Sequence, residues 1–176
     1  MAEVLPLSES ELDLLESLIR HQVRFLVVDL SAAALQGAPV VTEDVDLWFE
    51  DLHDPKLLRA LREVGAGYVP PFGNNPPMLA GRHSEPFDLV ISMSGLRQFA
   101  DEFECAVVIH VGRLRLKVLP LDRILASKTA ANRPKDRLVI PLLRNTLRTL
   151  QVMQTSRPEK LKGKRSKPKP KVGKRS

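Results

Sequence analysis

Asp44 and Asp46 stand two residues apart at the head of an apolar run, in Thr42-Glu43-Asp44-Val45-Asp46-Leu47-Trp48. No other feature of the chain limits its possible folds as sharply. The run has strand character, and side chains two apart on a strand share a face. The two carboxylates therefore project together, while Val45 and Leu47 point the other way, toward a core. Like charges side by side on a buried strand are unfavourable unless donors or a cation offset them. Carboxylates are hard oxygen ligands, so a cation placed there is best matched by Mg²⁺. Asp-x-Asp by itself also fits two solvated acids at a strand end.

A second apolar segment carries one acid of its own, Asp88, in Pro86-Phe87-Asp88-Leu89-Val90-Ile91. If this strand lies beside the first, three carboxylates converge. Such a trio is able to hold two divalent ions for in-line attack on a nucleoside triphosphate. The competing expectation for Asp88 is a strand-edge acid paired with Arg82 or Arg97.

The rest of the chain alternates helix and strand patterns. Ser8 and Glu11 have capping-box spacing ahead of a helix over residues 8–22, whose apolar face carries Leu12, Leu15, Leu18 and Ile19. A strand over 25–28 precedes a short Ala-rich helix over 31–35, closed by Gly37 and Pro39. Asp54-Pro55 reads as an N-cap with Pro at the first helical position. Leu57, Leu58, Leu61 and Val64 give that helix its buried face. Residues 65–85, rich in Pro and Gly, predict a long loop with one weak strand near Tyr68, either functional or a simple insertion. Beyond the strand over 87–91 come a helix over 95–103 and strands over 106–111 and 114–119, joined by a tight turn at Gly112-Arg113. Helices over 122–131 and 137–153 follow. The order predicts a single α/β (α+β) domain, a mixed sheet of about five strands with flanking helices.

The net charge of +6 is unevenly placed. Residues 157–176 hold ten of the 27 Lys and Arg and one acid, Glu159; the remainder has 17 basic and 20 acidic residues and is mildly acidic. The expected layout is a domain over 1–155 and a disordered basic tail over 156–176, because the tail is too poor in apolar side chains to offset its ordering entropy. Such a tail suits either phosphate contacts with nucleic acid or a solubilising role; it has no aromatics for base stacking. The lone cysteine, Cys105, excludes an internal disulfide and is expected as a small buried residue on a strand. It also suits a reducing cytoplasm. No apolar stretch predicts a membrane span, and the polar, acidic N-terminus is unlike a signal peptide. His21, His53, His83 and His110 lack ligand spacing, and Trp48 reads as a packing residue.

The stretch FLVVDLSAAALQGAPVVTEDVDLWF, residues 25–49, resembles the core motif of the DNA polymerase β-like nucleotidyltransferase superfamily. It is closest to the small bacterial stand-alone group that includes toxin–antitoxin nucleotidyltransferases. That pattern is a strand, a Gly-Gly or Gly-Ser turn, an Ala-rich helix ending in Gly, and Thr-x-Asp-x-Asp on the next strand. The resemblance runs on through Asp88 and through VGRLRLKVLPLDRILASKTAANRPKD, and so spans about residues 20–150. It implies a nucleotidyltransferase fold and Mg²⁺- or Mn²⁺-dependent transfer from a nucleoside triphosphate to an RNA end or a protein hydroxyl. Asp44, Asp46 and Asp88 would be the catalytic and metal-binding acids. Ser31, Thr42, Lys128, Arg133 and Lys135 would face the nucleotide. Physically, the lysines neutralise phosphate charge and Arg133 grips it bidentately. Asp136 is expected to cap the last helix.

The chain departs from the pattern at the turn, where Asp29-Leu30 replaces the glycines. Glycine serves there because backbone amides must approach phosphate without a Cβ in the way. Asp29 adds a negative charge in the same place. This substitution keeps a second reading open, a degenerate family member that binds nucleic acid or a cognate protein without turnover.

Overall fold

The computed structural model describes residues 7–155; the basic segment over 156–176 lies outside the described residues. Helix α1 (Glu9–Arg20) opens with the expected capping box: Glu11 N–H donates to Ser8 Oγ, and Ser8 N–H donates back to the Glu11 carboxylate. Leu14, Leu15 and Leu18 are its fully buried apolar residues, whereas Leu12 is only half-buried. Strand β1 (Phe25–Val28) is buried throughout and runs directly into helix α2 (Asp29–Leu35). Strand β2 (Val45–Phe49) and helix α3 (Pro55–Glu63) follow, the latter capped by Asp54, whose carboxylate accepts from Lys56 N–H.

The long loop expected over 65–85 contains a two-stranded ribbon, β3 (Ala66–Val69) and β4 (Met78–Gly81), paired antiparallel. Tyr68 lies in β3 as expected. The β4 partner was hidden because Met78-Leu79-Ala80-Gly81 has neither alternation nor β-branched residues. Strand β5 (Phe87–Val90) then leads to helix α4 (Phe99–Cys105). The helix begins four residues later than expected. Gly95, at φ +69°, makes a turn instead, and a Cβ there would come within 2.6 Å of the Ala130 side chain. Cys105 is therefore the exposed last residue of a helix, not a buried strand residue. Strands β6 (Val107–Val111) and β7 (Leu114–Val118) form the expected hairpin, with Gly112 at φ +57°. Helices α5 (Leu121–Ala131) and α6 (Pro134–Thr155) complete the chain.

Five strands form one mixed sheet in the order β5-β2-β1-β7-β6. The β1–β2 and β6–β7 pairs are antiparallel, while β2–β5 and β1–β7 are parallel. The core combines sheet residues such as Leu26, Leu47 and Leu116 with helix residues such as Leu57, Leu61, Ile124 and Leu143, all fully buried. Trp48 packs edge-on against Phe99 at 5.6 Å between ring centroids, as a packing residue should. Among the described residues, no helix is long and apolar enough to cross a membrane.

Candidate active site

The sheet order places β2 between β5 and β1, so the two acid-bearing strands are neighbours. Asp46 is the register partner of Asp88 on one side and of Val28 on the other. The end of β1 therefore meets Asp46, and the chain turns there into α2. Asp44, Asp46 and Asp88 line one cleft of about 190 Å³ with Asp29, Leu30, Thr42, Lys128, Lys135, Asp136 and Val139. All five expected carboxylate and lysine positions, Asp44, Asp46, Asp88, Lys128 and Lys135, thus line it together with Thr42. Among the described residues, no three His, Cys, Asp or Glu groups are already gathered closely enough to grip an ion.

Asp46 is the most perturbed acid of the cleft. Burial, then the charge of Asp29, then that of Asp88 raise its carboxyl to about 7, with Lys128 opposing and Asp44 adding a little. The arrangement has more negative charge than its own cations neutralise. That donor chemistry, oxygen-only and electron-rich, fits a divalent cation.

Ser31 lies behind the cleft. Its hydroxyl donates to Val28 O at 2.8 Å and accepts from Asp46 N–H at 3.1 Å. It also lies 3.5 Å from Asp46 Oδ2. One buried hydroxyl thus ties the end of β1 to the backbone of Asp46. Thr42 donates to Asp44 O at 2.9 Å and holds the approach to β2.

Lys128 belongs to the buried side of α5 with Leu121, Ile124 and Ser127. Its side chain is 6% exposed, and a lysine so placed needs anionic partners. It has two: Asp29, in close ion-pair contact, and Asp136 at 3.3 Å. Asp136 in turn accepts from Arg133 Nε at 2.7 Å and Nη2 at 3.2 Å. These bonds hold its carboxyl down at about 2, burial opposing. Arg133 is raised for the same reason, chiefly by Asp136. Arg133 lines an adjoining groove of about 440 Å³ with Asp29, residues 89–94, Ser127 and Ala131, rather than the acidic cleft itself.

Asp136 is not the helix cap that its sequence position suggested. The helix starts at Pro134, whose missing N–H suits the first helical position, so Asp136 falls in the first turn. There its carboxylate accepts from Arg133 N–H at 3.1 Å, the returning half of a capping arrangement. Sequence reasoning noticed Asp29 only as a departure from glycine and missed it as the partner of Lys128. Asp29 keeps the backbone that glycine would supply: its φ is +52°.

Two solved structures share this architecture. The crystal structure of ANT(2'')-Ia in complex with adenylyl-2''-tobramycin superposes with a TM-score of 0.51 at 10% identity, over 82% of this chain and 92% of that one. The solution structure of the antibiotic-resistance factor ANT(2'')-Ia gives 0.52 at 11% identity, over 84% and 90%. The fold is that of a nucleotidyltransferase. At such identity the likeness is one of fold, and no protein-family model or curated relative matches the sequence. Within this nucleotidyltransferase fold, the acidic cleft lies where β2 and β5 meet the start of α2 and helices α5 and α6.

Proposed function

We propose that the protein is a metal-dependent nucleotidyltransferase, moving a nucleoside monophosphate from a nucleoside triphosphate to an acceptor hydroxyl. One observation carries this reading. Asp44 just ahead of β2, Asp46 on β2 and Asp88 on β5 open onto one cleft with Lys128 and Lys135, and burial, then the charges of Asp29 and Asp88, raise Asp46 to about 7. Asp44, Asp46 and Asp88 would hold Mg²⁺ or Mn²⁺, which when bound supplies charge neutralisation and lowers the pKa of a coordinated hydroxyl. In this reading Asp88, the exposed member of the register pair, takes the acceptor proton. The acceptor oxygen forms its bond to the α-phosphorus, the bond to the β-phosphate bridge breaks, and pyrophosphate leaves. Lys135, at the mouth, meets phosphate charge, and Ser31 keeps Asp46 in place. The adjoining groove that Asp29 and Arg133 share gives room for the rest of the nucleotide.

The acceptor is an RNA end or a protein side chain in this reading, and the basic residues over 156–176 supply phosphate contacts if it is RNA. A place in the cytoplasm and an affinity with the bacterial toxin–antitoxin-type group rest on the sequence pattern. The test is incubation of the full chain with labelled nucleoside triphosphates, Mg²⁺ or Mn²⁺, and cellular RNA or protein fractions. Label should pass to one fraction in a metal-dependent way and be lost with Asp46→Asn. No transfer to any fraction rejects the reading.

A second reading is favoured by one contact. Asp29 already occupies Lys128, which suits a degenerate member that binds nucleic acid or a protein without turnover. It predicts partner capture with no label transfer, unaffected by Asp46→Asn.

A further inference from the structure

Asp29 is held against three opposing forces. Its backbone is left-handed at φ +52°, a region that residues with a Cβ enter at some strain. Its charge faces that of Asp46 closely enough to outweigh Asp88 and Asp44 in perturbing that acid. Its carboxylate is also mostly withdrawn from water, with the side chain 24% exposed. The ion pair with Lys128 is what compensates these costs. Lys128 for its part is the deeply buried cation of the cleft, and its ion-pair partners among the described residues are Asp29 and Asp136.

The contact is also placed at a junction. Asp29 borders both the acidic cleft and the adjoining groove lined by Arg133 and residues 92–94. Lys128 lines the acidic cleft, and Asp29, which borders both spaces, already holds its ammonium group. Carboxylate and phosphate oxygens are interchangeable partners for an ammonium group, so the two compete for one cation.

We propose that Asp29 is a specificity-determining residue that stands in for a ligand phosphate on Lys128, so a phosphate ligand binds by exchanging with its carboxylate. The exchange makes affinity for phosphate ligands lower than the cleft's cations alone would give. It also favours ligands that bring a metal ion, because the released Asp29 carboxylate and the incoming phosphate then share added positive charge. The inference deepens the nucleotidyl-transfer reading and rests on it only for the identity of the phosphate ligand.

The experiment measures inorganic pyrophosphate binding by calorimetry, in chelator, to the full chain and three variants. Asn and Gly both accept left-handed backbone, so Asp29→Asn and Asp29→Gly keep the turn. Both should bind pyrophosphate about tenfold or more tightly than wild type, the scale expected when a competing charge-assisted bond is removed. Adding Lys128→Met to Asp29→Asn should abolish the gain, while Asp136 keeps its bonds to Arg133. Equal affinity in wild type and the Asp29 variants overturns the inference, as does a gain that survives Lys128→Met. The label-transfer assay separates this from the parent reading. Transfer by wild type with no pyrophosphate gain sinks the exchange alone. A Lys128-dependent gain without transfer by any variant sinks the nucleotidyl reading and leaves the exchange standing.

Discussion

Asp46 lies directly across the parallel β2–β5 ladder from Asp88, and both open onto the same cleft. Two acids at equivalent positions of adjacent strands repel each other in an environment that already disfavours charge. The fold tolerates this because β2 is sandwiched in the sheet, where the surrounding core holds it.

The first prediction is a stability profile. The Asp46 carboxyl is raised to about 7 by burial and by Asp29 and Asp88. An unfolded Asp ionises near ~4, so between about 4 and 7 the unfolded chain releases a proton that the folded one keeps. Metal-free protein should therefore lose stability as pH rises across that window. Asp46→Asn should flatten the loss and melt higher than wild type at pH ~8 in chelator, by an amount on the order of a few kcal/mol. Melting temperature against pH checks it, and a variant less stable than wild type at that pH would contradict it.

Asp136 gives the opposite sign. Arg133 and Lys128 hold its carboxyl at about 2, below the unfolded value. Its contribution is thus present above pH ~4 and lost as pH falls toward ~2. Asp136→Asn strips a buried anion from Lys128 and Arg133. Loss of one partner from a buried ion pair leaves the other uncompensated, and about 3 kcal/mol of stability should go. Urea unfolding at neutral pH measures this; a change below about 0.5 kcal/mol would show the network to be dispensable.

How much of this was legible in the sequence depends on how local each signal is. The Ser8–Glu11 box, the Asp54-Pro55 cap and the Gly112 turn are set by neighbours a few residues apart, and the structure has them where the spacing predicts. The strand period predicts a shared face for Asp44 and Asp46; the strand starts at Val45, so Asp44 reaches the same cleft from the residue just ahead of it. The Asp46–Asp88 pairing is different: it depends on the strand order, which only the resemblance supplied. The start of α4 was misplaced because helical period continues through residues 95–98, whereas the close approach of Gly95 to Ala130 is a tertiary fact. The Asp29–Lys128 contact joins residues 99 positions apart, and no local pattern reports it. Its one trace is a lysine on the apolar face of α5, which signals that some acid must meet it.

Ser31 offers a test of positioning. Its buried hydroxyl receives Asp46 N–H and donates to Val28 O. Ser31→Ala leaves that amide without a partner and should destabilise the protein by about 1–2 kcal/mol. Metal affinity should fall as well, because Asp46 loses its anchor. Thermal unfolding with and without Mn²⁺ reads both effects, and an unchanged metal-induced rise in melting temperature would remove Ser31 from the site.

The central claim is that Asp44, Asp46 and Asp88 form one cation-binding unit. Calorimetric titration of the full chain with Mn²⁺ at pH ~7.5, in two buffers of different ionisation enthalpy, tests it most directly. Because Asp46 still carries a proton in about a quarter of molecules near that pH, binding should release protons and tighten as pH rises through about 7. Both the binding and the proton release should vanish in Asp46→Asn and weaken at least about tenfold in Asp88→Asn. Mn²⁺ binding that survives Asp46→Asn unchanged, or no binding to wild type at any pH from about 6 to 9, would contradict the account.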